Sequence, residues 1–423
     1  MLVIMDRRQF IAHLAASGAA TLAVGTGLAE AVADAKTTQS KLDPAAANRE
    51  LAQHRIKKIE WRRFRDRFPR NIGPNSRGRP VGQGGGFITC LVTTDREVTG
   101  WCMAGGKPMD SSRFVGTPVG DLFDVRQGIA DDVPWWLDKT LHDLAARILN
   151  LPVWRMIGGA GPREVLLYGG AIYMEDVVPE DHPRGVKAVL DVCRQDYESG
   201  YRAFKLKIGR GRKWMERDKG LQRDIEVTRA VHEHFPDCRV LVDANDAFTV
   251  EEACKYVTAV ADCDLYWIEE AFEEDIDSYR RLREAMEKVA CKALIADGEA
   301  RREQAHPPTA YGGYTQAFID RLYALAEKKL VDLFVLDLDI VGFSRWRRVM
   351  SQLKEAGVQA SPHAWMWTMR THQTAQLAAG VGNIPIVEGI PGRARGIDYS
   401  AYKMRAGKLV MPDEPGFGFR LGE

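Results

Sequence analysis

Short apolar runs alternate with longer amphipathic stretches through the second half of the chain. Stretches such as 223–235 and 277–290 repeat apolar residues at helical spacing between charged ones, which predicts helices. The short apolar runs predict strands; they are VLLYGGAIY (165–173), AFKLKIG (203–209), RVLVDAN (239–245), LYWIEEA (265–271), ALIADGE (293–299), LFVLDLD (333–339), VQASPHA (358–364) and IPIVEGI (384–390). Up to eight strand–helix units in this order predict an α/β fold, a (β/α)8-type (modified TIM) barrel, over residues 165–390.

The residues before 165 show a mixed pattern. Two β-rich runs flank the polar residues 94–97 in FITCLVTTDREVTGWC, which predicts a hairpin. Further on, an apolar stripe at helical spacing predicts a helix that Pro152 limits; its members are Leu137, Leu141, Leu144, Ile148 and Leu149. The glycine-rich stretch GQGGGF (82–87) is not followed by a helical pattern, so we interpret it as a loop and not as a nucleotide site.

The first residues have the features of a targeting segment. Arg7 and Arg8 precede a stretch rich in Ala, Leu, Val and Gly, and small residues at alternate positions offer cleavage sites at Ala31, Ala33 and Ala35. This pattern is typical of a twin-arginine signal, so residues 1–45 are predicted to be a signal peptide and linker, and the protein periplasmic or exported. An amphipathic helix or a misassigned start codon is the alternative, and the protein would then be cytoplasmic.

Composition and charge exclude several classes of protein. The 423 residues are 45% hydrophobic and 28% charged, with a net charge of +1, so no nucleic-acid or membrane partner is expected. Seven scattered cysteines form no C-x-x-C pair. A disulfide framework or a zinc cluster is therefore not expected.

The stretch AFKLKIG contains two lysines where an apolar strand is predicted. Lys205 and Lys207 are two residues apart, so on a strand they lie on one face. Burying two like charges side by side is costly unless other groups compensate. Either both lysines lie in solvent at the strand end, or a set of carboxylates surrounds them.

The other predicted strands supply such groups. Each polar residue alone is more often a helix cap or a satisfied core group, but together they stand at successive strand ends, where barrel sites lie: Asp243, Asn245, Glu269, Glu270, Asp297, Glu299, Asp337, His363 and Glu388. Adjacent Glu269 and Glu270 face opposite ways, while Asp297 and Glu299 are predicted to share the inward face. Three successive strands ending in carboxylates favour a divalent cation of the magnesium type. Each lysine, together with the metal, is expected to lower the proton affinity of the other, so that a lysine there can be neutral and act as a base.

These strand ends resemble the enolase superfamily and, within it, the mandelate racemase subgroup (mandelate racemase/muconate lactonizing enzyme family). The family motifs match as follows: K-x-K at Lys205 and Lys207, D-x-N at Asp243 and Asn245, IEE at Ile268, Glu269 and Glu270, G-E at Gly298 and Glu299, the Asp–His dyad at Asp337 and His363, and a final glutamate at Glu388. Two loops depart from the family pattern, at Ala271 and at Phe343. They put the substrate in doubt, not the chemistry.

The resemblance also implies a domain organisation. It implies an α+β capping domain over residues 46–164 ahead of the barrel over 165–390. The C-terminal segment, 391–423, would pack back on the capping domain. Barrels of this family commonly form octamers or dimers, so a homo-oligomer that binds a small-molecule carboxylate is expected.

The resemblance further implies a mechanism. Asp243, Glu269 and Glu299 would hold one Mg²⁺, with Asp297 an alternative third ligand. The remaining roles follow the family: Lys205 beside the substrate carboxylate, Lys207 or His363 removing the α-proton, Asp337 orienting His363, Glu388 binding a carboxylate oxygen or hydroxyl, and Asn245 completing the D-x-N motif. In most relatives of this type an acid sugar loses water and becomes a 2-keto-3-deoxy acid.

Other activities use the same residues. A racemase or epimerase needs the same two bases and no leaving group. A non-catalytic, exported sugar-acid binding protein would be expected to lack some catalytic groups, and a Schiff-base aldolase would need no three-carboxylate metal site.

Two segments bear on the substrate. A cap arginine could bind a distal carboxylate, or the group could be a solvated basic face; the candidates are Arg62, Arg63, Arg65, Arg67, Arg70, Arg77 and Arg79. Trp365, Met366 and Trp367 follow the dyad histidine and could form either an apolar wall or core packing.

Overall fold

The computed structural model describes residues 42–105, 107–299 and 314–422. The predicted signal peptide falls almost entirely outside the described residues. Within the described ranges, no helix combines the length and the apolar character needed to cross a membrane.

The N-terminal part is an antiparallel sheet packed on short helices. The predicted hairpin is confirmed, because strands β2 (Gly86–Thr94) and β3 (Thr99–Gly105) pair across the turn. Strand β2 also pairs with β1 (Ile56–Arg67). Three residues of the predicted stripe, Leu141, Leu144 and Ile148, lie on helix α3 (Asp138–Ile148), and Leu137 and Leu149 flank it. Leu141 and Leu144 are fully buried. The elements are β1 (Ile56–Arg67), β2 (Gly86–Thr94), β3 (Thr99–Gly105), β4 (Phe123–Asp124), β5 (Gly128–Ile129), α1 (Pro44–Ala52), α2 (Val119–Leu122), α3 (Asp138–Ile148) and α4 (Val153–Met156).

Eight parallel strands then form the barrel, as the alternating runs predict. They are β6 (Glu164–Ile172), β7 (Ala203–Lys207), β8 (Arg239–Asp243), β9 (Trp267–Glu269), β10 (Leu294–Asp297), β11 (Leu333–Phe334), β12 (Gln359–Ala360) and β13 (Val387–Gly389). Each pairs with the next from β6 to β12, and β13 pairs with β6. Between β12 and β13 the Ser361 hydroxyl donates to the Ile386 carbonyl at 2.8 Å. The eight strands thus surround one interior.

Helices cover the outside of the barrel, and most of them are amphipathic. The helix Thr368–Val381 is instead buried on nearly all sides. The helices are α5 (Val186–Glu198), α6 (Arg217–His234), α7 (Val250–Ala259), α8 (Ile276–Lys288), α9 (Gln316–Glu327), α10 (Leu338–Val341), α11 (Phe343–Glu355) and α12 (Thr368–Val381). Local sequence starts several of them: Thr249 and Glu252 form a capping box on α7, and the Asp275 side chain accepts the Ser278 N–H on α8. Such caps satisfy first-turn amides and fix where each helix begins.

The C-terminal segment contacts both other parts. Its strands are β14 (Arg393–Ala394), β15 (Ile397–Asp398), β16 (Lys403–Arg405), β17 (Lys408–Val410) and β18 (Arg420–Leu421). Strand β14 pairs with β1 of the N-terminal sheet, and β17 pairs with the start of β6. Near its end, the Phe417 N–H donates to the Asp143 carboxylate of α3 at 2.7 Å.

The barrel interior changes character along its axis. Toward the N-terminal ends of the strands it is apolar and closed by a cluster of buried side chains: Tyr168, Ala203, Leu241, Trp267, Ala296, Leu333, Val335 and Ile386. The next inward-facing residue on each strand lies two positions later. On β7, β8, β9 and β13 these residues are Lys205, Asp243, Glu269 and Glu388, and all four are buried. The chemistry-bearing end is therefore the C-terminal end, as in barrel enzymes generally.

Candidate active site

Strand β7 shows where the two lysines of AFKLKIG lie. Phe204 and Leu206 face the helices and belong to the main hydrophobic core. Lys205 and Lys207 alternate with them and are only 1% and 3% exposed. The alternative with both lysines in solvent is wrong, because the strand continues into the barrel interior and side-chain alternation turns both lysines inward.

Three carboxylates face these lysines. Lys207, Asp243 and Glu269 are register partners across β7, β8 and β9, which puts their side chains next to one another. One ligand oxygen from each of Asp243, Glu269 and Glu299 lies within 4.8 Å of the other two. Buried oxygen ligands of this kind match the preference of Mg²⁺.

Electrostatics supports a cation at this place. Burial raises the pKa of Glu269 to about 8, although Lys205 opposes the rise. For Asp243, burial acts in the same direction, but Lys207 and Lys205 outweigh it and lower its pKa. Four buried carboxylates lie around the two lysines: Asp243, Glu269, Glu299 and Glu388. When all six groups are ionised, two negative charges remain, which a bound divalent cation would balance.

Lys205 behaves as a charged group among these protein side chains. Its Nζ lies 3.1 Å from both Glu269 oxygens, 3.6 Å from Asp243 and 3.7 Å from Glu388. Burial opposes the charge, but the carboxylates, Glu269 first, hold the pKa of Lys205 well above its usual value. Carboxylates outnumber lysines around it. The expected lowering of a lysine's proton affinity involves the metal as well as the second lysine, so it stays a prediction. Lys207 contacts Asp243 directly.

The fifth barrel strand corrects one prediction. Asp297 does not share the inward face with Glu299. Ala296 pairs with Glu269 and faces inward, so the next residue, Asp297, faces outward. The Tyr279 hydroxyl of α8 donates to Asp297 in the helix layer, and burial raises the pKa of Asp297 well above its usual value. Gly298 then takes a φ of +126°, open mainly to glycine, and Glu299 enters the site.

The dyad residues meet on the opposite side of the interior. Asp337 and His363 follow β11 and β12 and form a backbone bridge. The His363 Nδ1 lies 3.5 Å from Asp337, and its Nε2 lies 3.6 Å from Glu299 and 3.7 Å from Glu388. Burial opposes a charged imidazole, but Glu299, Glu388 and Asp337 outweigh it and raise the pKa of His363.

Asp337 is also a helix cap. One carboxylate oxygen accepts the N–H groups of Asp339 and Ile340 at the start of α10, and the other faces His363. The same side chain therefore caps a helix, as a single buried aspartate usually does, and faces His363, as the resemblance implies. Arg370 and then His363 hold its pKa below the usual value against the effect of burial.

Glu388 and Asn245 complete the set of predicted residues. Glu388 lies between Lys205 and His363 and accepts the Ala364 N–H at 2.8 Å. Asn245 donates its backbone N–H to Asp243 at 2.9 Å and its side-chain amide to Glu270 at 3.2 Å. Asn245 thus orients a metal-ligand candidate from outside the ligand set.

The segment between β1 and β2 docks on this end of the barrel. Asn75 donates to the Asn245 side chain at 3.1 Å, and the Ser76 hydroxyl donates to the Ala244 carbonyl at 2.9 Å. Arg77 pairs with Asp246 and donates to the Asn245 carbonyl at 2.8 Å. These bonds fasten the cap to the turn that follows β8.

The cap arginines do not converge on the site. Arg70 pairs with buried Asp196 at 2.7 Å, and Arg77 is held as above. The remaining ones are exposed: Arg62, Arg63, Arg65, Arg67 and Arg79. Of the two alternatives, the arrangement favours a solvated basic face over binding of a distal carboxylate, since these charges are paired elsewhere or exposed.

An aromatic wall, which sequence reasoning only partly identified, closes the site toward the cap. Trp365 stacks on Tyr173 with centroids 4.9 Å apart and lies 6.1 Å from Phe68 of the cap. The Lys207 Nζ lies 5.4 Å from the Tyr173 ring centroid. Trp367 instead packs edge-on against Phe87 of the N-terminal sheet. Sequence analysis identified Trp365. It missed Tyr173, which ends the first barrel run, because this residue carries no charge.

Sequence reasoning also missed Arg370. This buried residue of α12 contacts Asp337, Asp339 and the Trp365 carbonyl. Its spacing from His363 matches no motif. The only sequence signal was an arginine inside a helix with few other charges.

Comparisons with known proteins agree with this geometry. The family described as "Enolase C-terminal domain-like" matches residues 188–423. Among curated proteins, the arabinonate dehydratase of Saccharolobus solfataricus is 24% identical over 303 residues, which cover 70% of this chain and 71% of that protein.

Solved structures show the same architecture. A Geobacillus galacturonate dehydratase, complexed with D-galacturonate and 5-keto-4-deoxy-D-galacturonate, aligns with a TM-score of 0.77 at 26% identity, covering 88% of this chain and 95% of that one. A Geobacillus mandelate racemase/muconate lactonizing protein, complexed with magnesium and tartrate, aligns with a TM-score of 0.78 at 26% identity, covering 88% and 94%. The predicted barrel with a capping domain is thereby confirmed.

Proposed function

This chain belongs to the enolase C-terminal domain-like family, in the mandelate racemase subgroup of the enolase superfamily, and on that premise we propose that it is a Mg²⁺-dependent acid-sugar dehydratase. It removes the proton α to a carboxylate and expels a β-hydroxyl as water. The product is a 2-keto-3-deoxy acid. The dehydratases among its relatives support this choice of reaction.

One observation carries the proposal. Two candidate proton-transfer groups, Lys207 and His363, come from well-separated strands and face the same buried interior, with three carboxylates beside them. A purely structural set of buried charges would not need a lysine on one side and an Asp-supported imidazole on the other.

The metal would be held by Asp243, Glu269 and Glu299, whose donors fit Mg²⁺. When bound, it supplies Lewis-acid stabilisation of the negative charge that develops on the substrate carboxylate. Lys205 adds a second positive charge beside the same carboxylate.

The protein groups then move two protons. The Lys207 Nζ, as a neutral amine, accepts the α-proton, and the electron pair of the broken C–H bond delocalises into the carboxylate as an enediolate. The His363 Nε2, as an imidazolium, donates its proton to the β-hydroxyl while the C–O bond breaks and water leaves. The resulting enol takes up a proton at carbon 3 while its carbon-2 hydroxyl loses one, and it becomes the 2-keto acid.

The same two residues would permit racemisation or epimerisation of a 2-hydroxy acid. His363 has Asp337 on Nδ1 and two carboxylates near Nε2, which raise its pKa and suit it to receive a proton as well as give one. A substrate without a β-hydroxyl would then be protonated on its opposite face.

Incubation in D₂O with Mg²⁺ and a library of mono- and diacid sugars tests the proposal. Keto-acid is read by semicarbazide absorbance and deuterium at the α-carbon by mass spectrometry. We expect keto-acid from one acid, lost in Lys207→Met and His363→Asn and kept in the exposed-lysine control Lys255→Met. Deuterium uptake without keto-acid would favour the racemase, and neither signal would refute both.

A further inference from the structure

The Arg370 guanidinium joins the two chain segments that carry the dyad. Its Nη1 donates to the Trp365 carbonyl at 2.9 Å, two residues after His363. Its Nη2 donates to the Asp337 carboxylate oxygen that does not face His363. One rigid, planar group therefore holds the loop of the histidine and the side chain of its partner.

The same group continues into a buried charge network. The Arg370 Nε lies 3.1 Å from Asp339, and Asp339 also contacts Lys139 of α3 in the N-terminal part. Two acids and two bases alternate here, and Arg370 is only 5% exposed. Arg370 therefore balances the negative charge of Asp337 even without a contribution from His363.

The dyad contact itself is loose. The His363 Nδ1 and the Asp337 oxygen are 3.5 Å apart, beyond the usual length of a hydrogen bond. Backbone hydrogen bonds at 3.1 Å, from the His363 N–H to the Leu336 carbonyl and from the Leu338 N–H to the His363 carbonyl, tie the two backbones. The placement of the two side chains within that frame decides whether the dyad contact forms. Asp337 would keep two backbone donors without Arg370, but nothing among the other contacts described would tie its carboxylate to the His363 loop.

We propose that Arg370 is a positioning residue that sets the separation of Asp337 and His363. It is not a catalytic residue, because it touches neither the metal-ligand candidates nor the reacting groups. The catalytic part of this inference rests on the proposed function; the geometric part does not.

Crystal structures of the Mg²⁺-loaded full chain provide a substrate-free test. We compare wild type with Arg370→Met, which has a similar volume and no donors, and with Arg370→Lys, which keeps the charge but not the fork. We expect the His363–Asp337 distance to lengthen or the 365 backbone to shift in Arg370→Met. An unchanged dyad would overturn the proposal.

Kinetics provide a ratio of two reaction rates that a loss of protein stability alone would not change. In D₂O with the acid sugar that the wild type turns over, the ratio of α-deuterium uptake to keto-acid formation distinguishes loss of His363 from loss of Lys207. We expect Arg370→Met to shift this ratio in the same direction as His363→Asn and to lower turnover about 10- to 100-fold, as loss of an outer partner of a functional histidine does elsewhere. A wild-type ratio, or the ratio of Lys207→Met, would overturn the proposal.

Arg147→Met is the matched control. Arg147 pairs with buried Asp143 at 2.6 Å and donates to the Phe419 carbonyl, so its loss lowers the melting temperature without touching the dyad. We expect its ratio to stay at the wild-type value. If no acid is turned over by the wild type, the proposed function fails and the crystal structures alone decide the role of Arg370.

Discussion

The two sides of the site are built in different ways. On the lysine side, Lys205, Lys207, Asp243 and Glu269 come from three hydrogen-bonded strands, and the strand register alone places them next to one another. On the histidine side, Asp337 and His363 follow two-residue strands and share a single bridge.

The difference shows what each side needs in order to keep its geometry. Ladder hydrogen bonds position the lysine side, and its remaining problem is the cost of packing charges in a buried space. The histidine side has few ladder bonds, so side chains such as Arg370 must position it. We therefore expect the lysine side to depend on charge balance and the histidine side on packing and hydrogen bonds.

Removing a ligand candidate from the lysine side should have the largest effect. We expect Asp243→Asn to abolish measurable Mg²⁺ binding by calorimetry and to lower turnover at least about 10³-fold, because the metal supplies several kcal/mol. Asp297→Asn is the control, since its carboxylate faces Tyr279 and not the site. Equal loss of Mg²⁺ affinity in both variants would contradict our assignment of the fifth strand.

Removing one lysine from each side should lower the free energy of unfolding by different amounts. Above pH 8, where Glu269 is ionised, Lys205→Met leaves this buried carboxylate without its nearest cation. We therefore expect a loss of about 3–5 kcal/mol in the metal-free protein, partly restored by Mg²⁺. Lys139→Met on the histidine side should cost less, about 1–3 kcal/mol, since partly buried Asp339 keeps Arg370 as a partner. Urea denaturation measures both, and similar losses would remove the distinction.

Glu269 should give the metal-free protein a particular pH dependence. Its pKa is about 8 in the folded protein against 4.5 as the ordinary value, so the folded state binds the extra proton between these limits. Stability should therefore fall as the pH rises from about 5 to about 8. Melting temperatures across this range should show a shallower fall in Glu269→Gln and with Mg²⁺ present; no change in slope would count against the charge crowding.

The smallest effect should come from the cap contact with the lysine side. Arg77→Met leaves Asp246 partly buried without its partner, so we expect a loss of about 1–3 kcal/mol and a higher KM. Arg65→Met should stay within about 0.5 kcal/mol, because Arg65 is exposed. A KM equal to that of the wild type would show that cap docking and substrate binding are independent.

Much of the barrel follows from local sequence. Apolar runs with period 2 and helices with period 3.6 determined the eight units, and the polar residues at run ends placed the candidate site at one end of the barrel. Lys205, Lys207, Asp243 and Glu269 could be grouped because parallel strands bring equivalent ends together. These inferences need only backbone geometry, which is the same in every chain.

Only the tertiary structure decided the rest. The face of Asp297 depended on where Ala296 pairs with β9 and on the φ of Gly298, neither of which is visible in a period-2 pattern. The pairing of cap arginines with Asp196 and Asp246, and the position of Arg370 between Asp337 and the His363 loop, join residues far apart in the chain. Sequence periodicity reports which face a residue occupies on its own element. Packing between elements decides which partner that residue meets, because it depends on distances the local pattern does not contain.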